Sequence, residues 1–195
     1  MPNPIGNFGS NATRLPFGKT GQPVQCVSDT KYSTKTLAAA VAPAQTDFFT
    51  SAPSADRTLD NYDAGNQLVT SGKAFVIQGV SVNIIGPAIA DVDAIIQKGV
   101  VVLTAQGKEI GAFRVRNLCA GGGTYVAGAQ VAAANTVGVV NGLPQSDLFR
   151  VAELMLATNQ SFKASLLMPT TTPYTVTAST TVEIALQGYE IRPVA

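Results

Sequence analysis

The chain contains no histidine and no tryptophan. Without an imidazole there is no Ser-His-Asp triad, no Cys-His pair and no His-ligated zinc. Two cysteines, Cys26 and Cys119, are too few for a disulfide scaffold or a four-thiolate zinc site. A reactive thiol would need a neighbouring base, and the bland expectation is two small, inert, buried thiols. Charge is scarce as well: charged residues make up 13% of the chain, against roughly 25% in an ordinary soluble protein. The 13 basic and 12 acidic residues leave a net charge of +1. That excludes a strongly basic nucleic-acid binder and an acidic tail protein. Long apolar runs are also missing. No stretch approaches the ~20 apolar residues of a membrane helix. The start, Met1-Pro2-Asn3-Pro4-Ile5-Gly6-Asn7, lacks the basic-then-apolar pattern of a secretory signal. The expectation is a soluble chain made in the cytosol, with no cleavable signal and no membrane span.

What is present suits one domain, or one domain plus an arm. The chain has 195 residues, 46% of them hydrophobic, enough for a real core. Its polar positions hold Thr, Ser, Asn and Gln in place of charge. A surface buried against other subunits would explain that choice, as would a β-protein that binds neutral ligands.

Residues 1–36 hold Pro2, Pro4, Pro16 and Pro23 among several glycines and show no hydrophobic period. They read as an extended N-terminal arm with a short strand at Val24 to Val27, an arm that orders on assembly. Residues 37–72 read as a connecting segment. Its Leu37-to-Ala44 stretch suits a helical turn ended by Pro43, or a buried extended strip. Asp47 to Thr50 suits a short strand.

Residues 73–195 are orderly and read as a β-sandwich domain. Lys73 to Ile85 suits an apolar strand kinked at Gly79, with Phe75, Ile77, Gly79 and Ser81 sharing a face while it stays extended. Asp91 to Lys98 suits a short helix, with acids first, Lys98 last and Gly99 as the stop. Gly99 to Thr104 and Lys108 to Leu118 suit two strands joined by a Gln106-Gly107 turn. Residues 119–145 form a long apolar loop made to pack against something. Leu148 to Thr158, Phe162 to Leu166, Tyr174 to Thr177 and Thr181 to Ile191 suit further strands. The total is about eight strands and one short helix, at the turn spacing of an all-β sandwich.

Five groups could carry chemistry, and each has a plainer reading. Asp91 and Asp93 could share a calcium ion, but a helix start accounts for both. Asp56, Asp60, Asn61 and Asp63 could bind Ca²⁺, yet turns also favour Asp and Asn. Glu153 and Glu183 could form a glycosidase carboxylate pair, though solvent-facing strand positions explain them more simply. Gly121-Gly122-Gly123 lacks the Lys-Ser/Thr and the βαβ unit of a phosphate loop. Arg14, Lys19, Lys31 and Lys35 could touch nucleic acid only weakly and salt-sensitively, and Arg114 and Arg116 suit subunit or solvent contacts. No catalytic residue, cofactor site or metal site is expected.

The second half of the chain resembles bacteriophage virion proteins of the single jelly-roll β-sandwich type. The resemblance rests on the order of Phe75-Val76-Ile77-Gln78-Gly79-Val80-Ser81-Val82, a short helix, Val100-Val101-Val102-Leu103 and Lys108-Glu109-Ile110-Gly111-Ala112-Phe113. The Gly-rich apolar loop, Asn159-Gln160-Ser161-Phe162-Lys163-Ala164 and the closing Val182-to-Tyr189 strand follow. It covers about residues 70–195. It implies a jelly-roll-like sandwich and a structural role in a virion, as capsid, minor capsid or cement (decoration) protein. It also implies partners: itself, as a homo-oligomer taken to be a trimer, and other capsid proteins. The alternative is a glycan- or receptor-binding β-sandwich module, for which Tyr62, Tyr125 and Tyr174 are the available aromatics. A histidine-free hydrolase built on Glu153 and Glu183 stands third.

Overall fold

The structure, a computed structural model, describes residues 24–70, 72–118, 124–125, 139–140, 149–157 and 160–193. Eleven strands are present there: β1 (Val24–Leu37), β2 (Gln45–Phe48), β3 (Asp60–Asn61), β4 (Ala74–Ile85), β5 (Val100–Ala105), β6 (Lys108–Arg114), β7 (Thr124–Tyr125), β8 (Val139–Val140), β9 (Phe149–Ala157), β10 (Phe162–Leu167) and β11 (Thr180–Pro193). Two helices join them, α1 (Ile89–Lys98) and the single turn α2 (Val115–Leu118).

The strands form two antiparallel sheets, ordered β3-β1-β11-β4-β9 and β2-β10-β5-β6, with β7 and β8 paired apart. Setting the two-residue strands aside leaves eight. Numbered in chain order, they lie 1-8-3-6 in one sheet and 2-7-4-5 in the other. This is the jelly-roll order, an all-β sandwich in which the chain crosses repeatedly between layers. One core fills the gap. Leu186, Ile184, Val82 and Val80 come from the five-stranded sheet, and Phe162, Leu166, Val101 and Leu103 from the four-stranded one. Val92, Ile95 and Ile96 of α1 close its side at helical spacing.

The kink expected at Gly79 is a β-bulge at Gln78. Ile77 faces Gly188 and Gly79 faces Gln187, so β4 carries one residue more than β11 over this stretch. The insertion resets the alternation. Phe75 and Ile77 point into the core before it, and Val80, Val82 and Ile84 after it. Gly79 and Ser81 therefore do not continue the face of Phe75 and Ile77. The Gln106-Gly107 turn is also present, with φ of 50° and 74°, as a two-residue hairpin needs. Gly99 ends α1 for a different reason than a left-handed cap. Its φ is −71°, but a Cβ there would lie 2.6 Å from the Ile95 carbonyl oxygen.

Four elements differ from the sequence reading, one of them the Tyr174-to-Thr177 stretch, which is a loop. The strand expected at Val24 to Val27 runs on to Leu37 and pairs with β11 throughout, so residues 24–36 lie in a sheet and not in an arm. Residues 38–42 are an exposed connection, neither a helical turn nor a buried strip. The strand after Gly107 stops at Arg114, where Val115 and Leu118 turn into the core at i, i+3 spacing. Among the remaining readings, the Gly-rich stretch 121–123, most of the 119–145 loop, Arg14, Lys19 and Cys119 lie outside the described residues.

Gly188 is the tightest point of the bulge. A Cβ there would sit 1.8 Å from the Val76 carbonyl oxygen, which as backbone cannot swing away. Gly188→Ala is expected to lower unfolding free energy by about 2–3 kcal/mol, the cost of overpacking a closed site. Urea denaturation measures it, with an unchanged midpoint as the contrary result.

Candidate functional site

The helix-start acid Asp91 is fully buried, and donors surround it. The Tyr174 hydroxyl donates to Oδ1 at 2.8 Å, and the Thr177 N–H lies 3.0 Å from both oxygens. The Thr177 hydroxyl and the Ala178 N–H donate to Oδ2, each at 2.9 Å. Burial pulls this carboxyl upward, but the Thr177 and Ala178 amides and the two hydroxyls outweigh it and hold it below the usual range. The same bond raises the Tyr174 phenol. A carboxylate wrapped in donors has no lone pair directed at a cation. Asp93 points to solvent. Asp91 does not share an ion site with Asp93, and it alone is a structural clasp between α1 and residues 174–178. Those residues are consequently a loop, where the sequence pattern suggested a strand.

The second acidic group separates in the same way. Asp56 accepts from the Thr58 amide and hydroxyl, and Asp60 from the Thr34 and Ser54 amides. Asn61 donates to the Thr30 carbonyl. Asp63 accepts from the Thr70 amide and hydroxyl. Asp56 serves a local turn, Asp60 ties its turn to β1, and Asp63 also faces Lys31. Among the described residues no group of three or more Cys, Asp or Glu is placed to hold a metal ion.

Glu153 and Glu183 are on different strands, with β4 between them. Glu183 is opposite Asn83, whereas Glu153 falls at the irregular stretch beside Ile77 to Gly79. That offset is roughly 13–20 Å along the strand at about 3.3 Å per residue. The register does not set the two opposite one another, as a pair within ~10 Å would need. Glu183 is half-buried, and burial raises its carboxyl above the ordinary value.

One charged cluster was not foreseen. Lys31 of β1, 4% exposed, lies on the inner face of the sheet. Its Nζ is 2.9 Å from Asp29, 3.5 Å from Glu190 and 3.7 Å from Asp63. Lys73 reaches Glu190 at 3.3 Å and Asp63 at 3.7 Å. Burial alone would lower the Lys31 ammonium, but the hydrogen bond and charge of Asp29, then Asp63 and Glu190, raise it overall. Lys31 thus leaves the basic set that could have met nucleic acid. The sequence carried little signal for it: Asp29 and Lys31 stand at alternate positions in a stretch with no hydrophobic period. Cys26, a free half-buried thiol, sits on the outer face with Ala74, Val76 and Ile191, and burial pushes its pKa up.

No family model matches the chain, and no curated protein matches it.

Two outcomes are expected from these contacts. Asp91→Asn turns an N–H₂ toward groups that are themselves donors, and should cost about 3 kcal/mol by chemical denaturation. Wild-type stability should fall toward both acid and alkaline pH, with Glu183, whose carboxyl is raised, giving a small opposing slope just above pH 4.5. Asp91 and Asp63 have lowered pKa values, so their contribution is complete above the ordinary 3.8 and lost as pH falls through the folded values. Lys31 is raised, so its contribution is complete below 10.5 and lost as pH climbs through the folded value. Thermal melts across pH read both limbs. A stability maximum confined to acid pH would contradict the assignment.

Proposed function

We propose that this protein is a structural component of a phage or virus particle, acting by assembly and not by chemistry. The observation that carries the reading is the strand order, 1-8-3-6 facing 2-7-4-5. Jelly rolls of this order serve as shell proteins, as lectin domains and as cupins. Fold alone does not choose among them, so the side chains must. Cupin chemistry depends on histidine ligands, and this chain has none. A sugar platform needs exposed aromatic rings beside polar loops. Tyr62 is 5% exposed, and its hydroxyl donates to the Ser51 carbonyl. The Tyr174 hydroxyl is committed to Asp91. Two of the three candidate rings are thereby spent on the fold itself. What remains is a rigid double layer with few surface charges, suited to burying area against neighbours.

On this reading the protein is a homo-oligomer, a trimer by analogy with the class, and it contacts other capsid proteins in a virion. Main coat, minor capsid and cement roles all suit the same chemistry. No helix among the described residues is long and apolar enough to cross a membrane.

Light scattering from about 0.05 to 1 M salt tests the proposal. A trimer or larger closed assembly whose mass does not change with salt is the expected result, because contacts without charge are not screened. A monomer at every salt concentration, together with a hit on a glycan array, would replace the shell reading with the binding module.

A further inference from the structure

The charges of this molecule are unevenly placed. At one end of the sandwich β1 and β4 leave their sheet and β11 enters it, with Leu37 opposite Thr180 and Ile85 opposite Thr181. Three segments meet there: 36–46, 84–90 and 164–182. None contains a charged residue. They are bound to one another. The Ala40 amide donates to the Val176 carbonyl at 2.7 Å, and the Val176 amide returns to Val41 at 2.9 Å. The Met168 amide donates to Ala44 at 3.0 Å. Gly86 is packed so closely on Thr180 that a Cβ would lie 2.7 Å from its hydroxyl oxygen.

This end is exposed and apolar. Among the described residues the two most exposed large apolar side chains are Val41 at 48% and Ile85 at 47%, and both are here. Around them stand exposed alanines of 38–44, Pro87, Pro173 and the hydroxyls of Thr170 to Thr172. The charges nearest these segments are Asp47, which accepts from Gln45 and Ser165 and pairs with Lys163, and the buried Asp91 beneath residues 174–178. Lys35, Asp93, Lys98 and Arg114 border them, and the Lys98 ammonium lies over the Tyr174 ring at 5.3 Å.

We propose that this uncharged end is the self-association surface, which packs against the same end of neighbouring copies about the symmetry axis. The inference rests on the assembly reading above and gives it a location. The occupant follows from charge complementarity. A contact without charge needs a partner that leaves no ion unpaired inside it. The same end of a second copy meets that condition by construction. Alanine, proline and threonine let backbones approach closely, and exposed hydroxyls pair with hydroxyls. A lipid surface is the poorer match, because it favours large aliphatic and aromatic side chains with a basic rim. The end offers roughly two dozen exposed or half-exposed residues, about the 20–30 that a standard interface takes from each partner.

The test places charge where there is none. Val41→Glu and Thr171→Glu are each compared with Leu59→Glu, which alters an exposed apolar side chain outside the three segments. Mass is read by sedimentation and light scattering over a concentration series, and fold by circular dichroism and thermal melting. The expected result is at least a ten-fold weaker association for both end variants, with the melting of the monomer retained and Leu59→Glu unaffected. Mixing Val41→Glu with Val41→Lys copies should restore assembly. End variants that keep the wild-type mass would overturn this location while the assembly reading stands. Equal weakening by Leu59→Glu would overturn it too. A wild type that stays monomeric at all concentrations removes self-association altogether, and this inference with it.

Discussion

The closure of the sandwich depends on one buried carboxylate. Asp91 sits in the first turn of α1, where the helix dipole already favours an anion. It reaches outside its own helix to the loop before β11 and binds two amides and two hydroxyls there. A carboxylate with no water around it is costly unless such donors replace the lost solvation. Here they do, so the charge is stable only while the loop keeps its shape. Helix and loop therefore hold each other. The same loop carries Val176, whose backbone bonds orient residues 40 and 41. An internal charge thus supports a surface that shows none.

The second internal charge group does related work at β1. Lys31, Asp29 and Glu190 occupy inner-face positions that elsewhere in the jelly roll are apolar. Replaced singly, each would leave an uncompensated partner, the expensive case for a buried ion pair. Kept together, they fasten the first strand to the last, with Asp63 and Lys73 drawing the 60–73 segment onto the same spot. A first strand with little hydrophobic period can then pair along the whole of β11.

This explains which parts of the fold the sequence revealed. Local devices were legible because their cause is local. Gly79 beside a broken alternation announced a bulge, Gln106-Gly107 announced a hairpin, and acids before and Lys98 after an apolar stripe announced α1. Elements whose cause is distant were not legible. β1 looked like an arm, because the partners that let Lys31 and Ser33 sit inward come from positions 190, 63 and 49. The Tyr174-to-Thr177 stretch alternates like a strand, but its donors are captured by an aspartate more than eighty residues earlier. Asp91 itself was legible as a helix-start residue, and its burial was not. At the candidate sites, sequence reasoning anticipated turn chemistry for Asp56 and in part for Asp60 and Asp63, while Asn61 bonds across to β1. It had no means of assembling the Lys31 cluster.

Scarce charge is then more than a feature of composition. A chain with 25 Lys, Arg, Asp and Glu residues that buries Lys31, Asp60, Asp91 and Glu190 has fewer left to keep copies apart. Repulsion between like molecules is weak at a net charge of +1, and near-neutral surfaces favour association. An ordinary monomer would counter this with surface lysine and glutamate. This one does the reverse at the end where its main connections meet, leaving alanine, threonine and proline exposed over three bonded segments. Contacts of that kind gain from area and close approach, not from ion pairs, so they persist where salt would screen a charged interface. Within the assembly reading, the rigidity conferred by Asp91 has a purpose. A surface that binds through shape must keep its shape before its partner arrives.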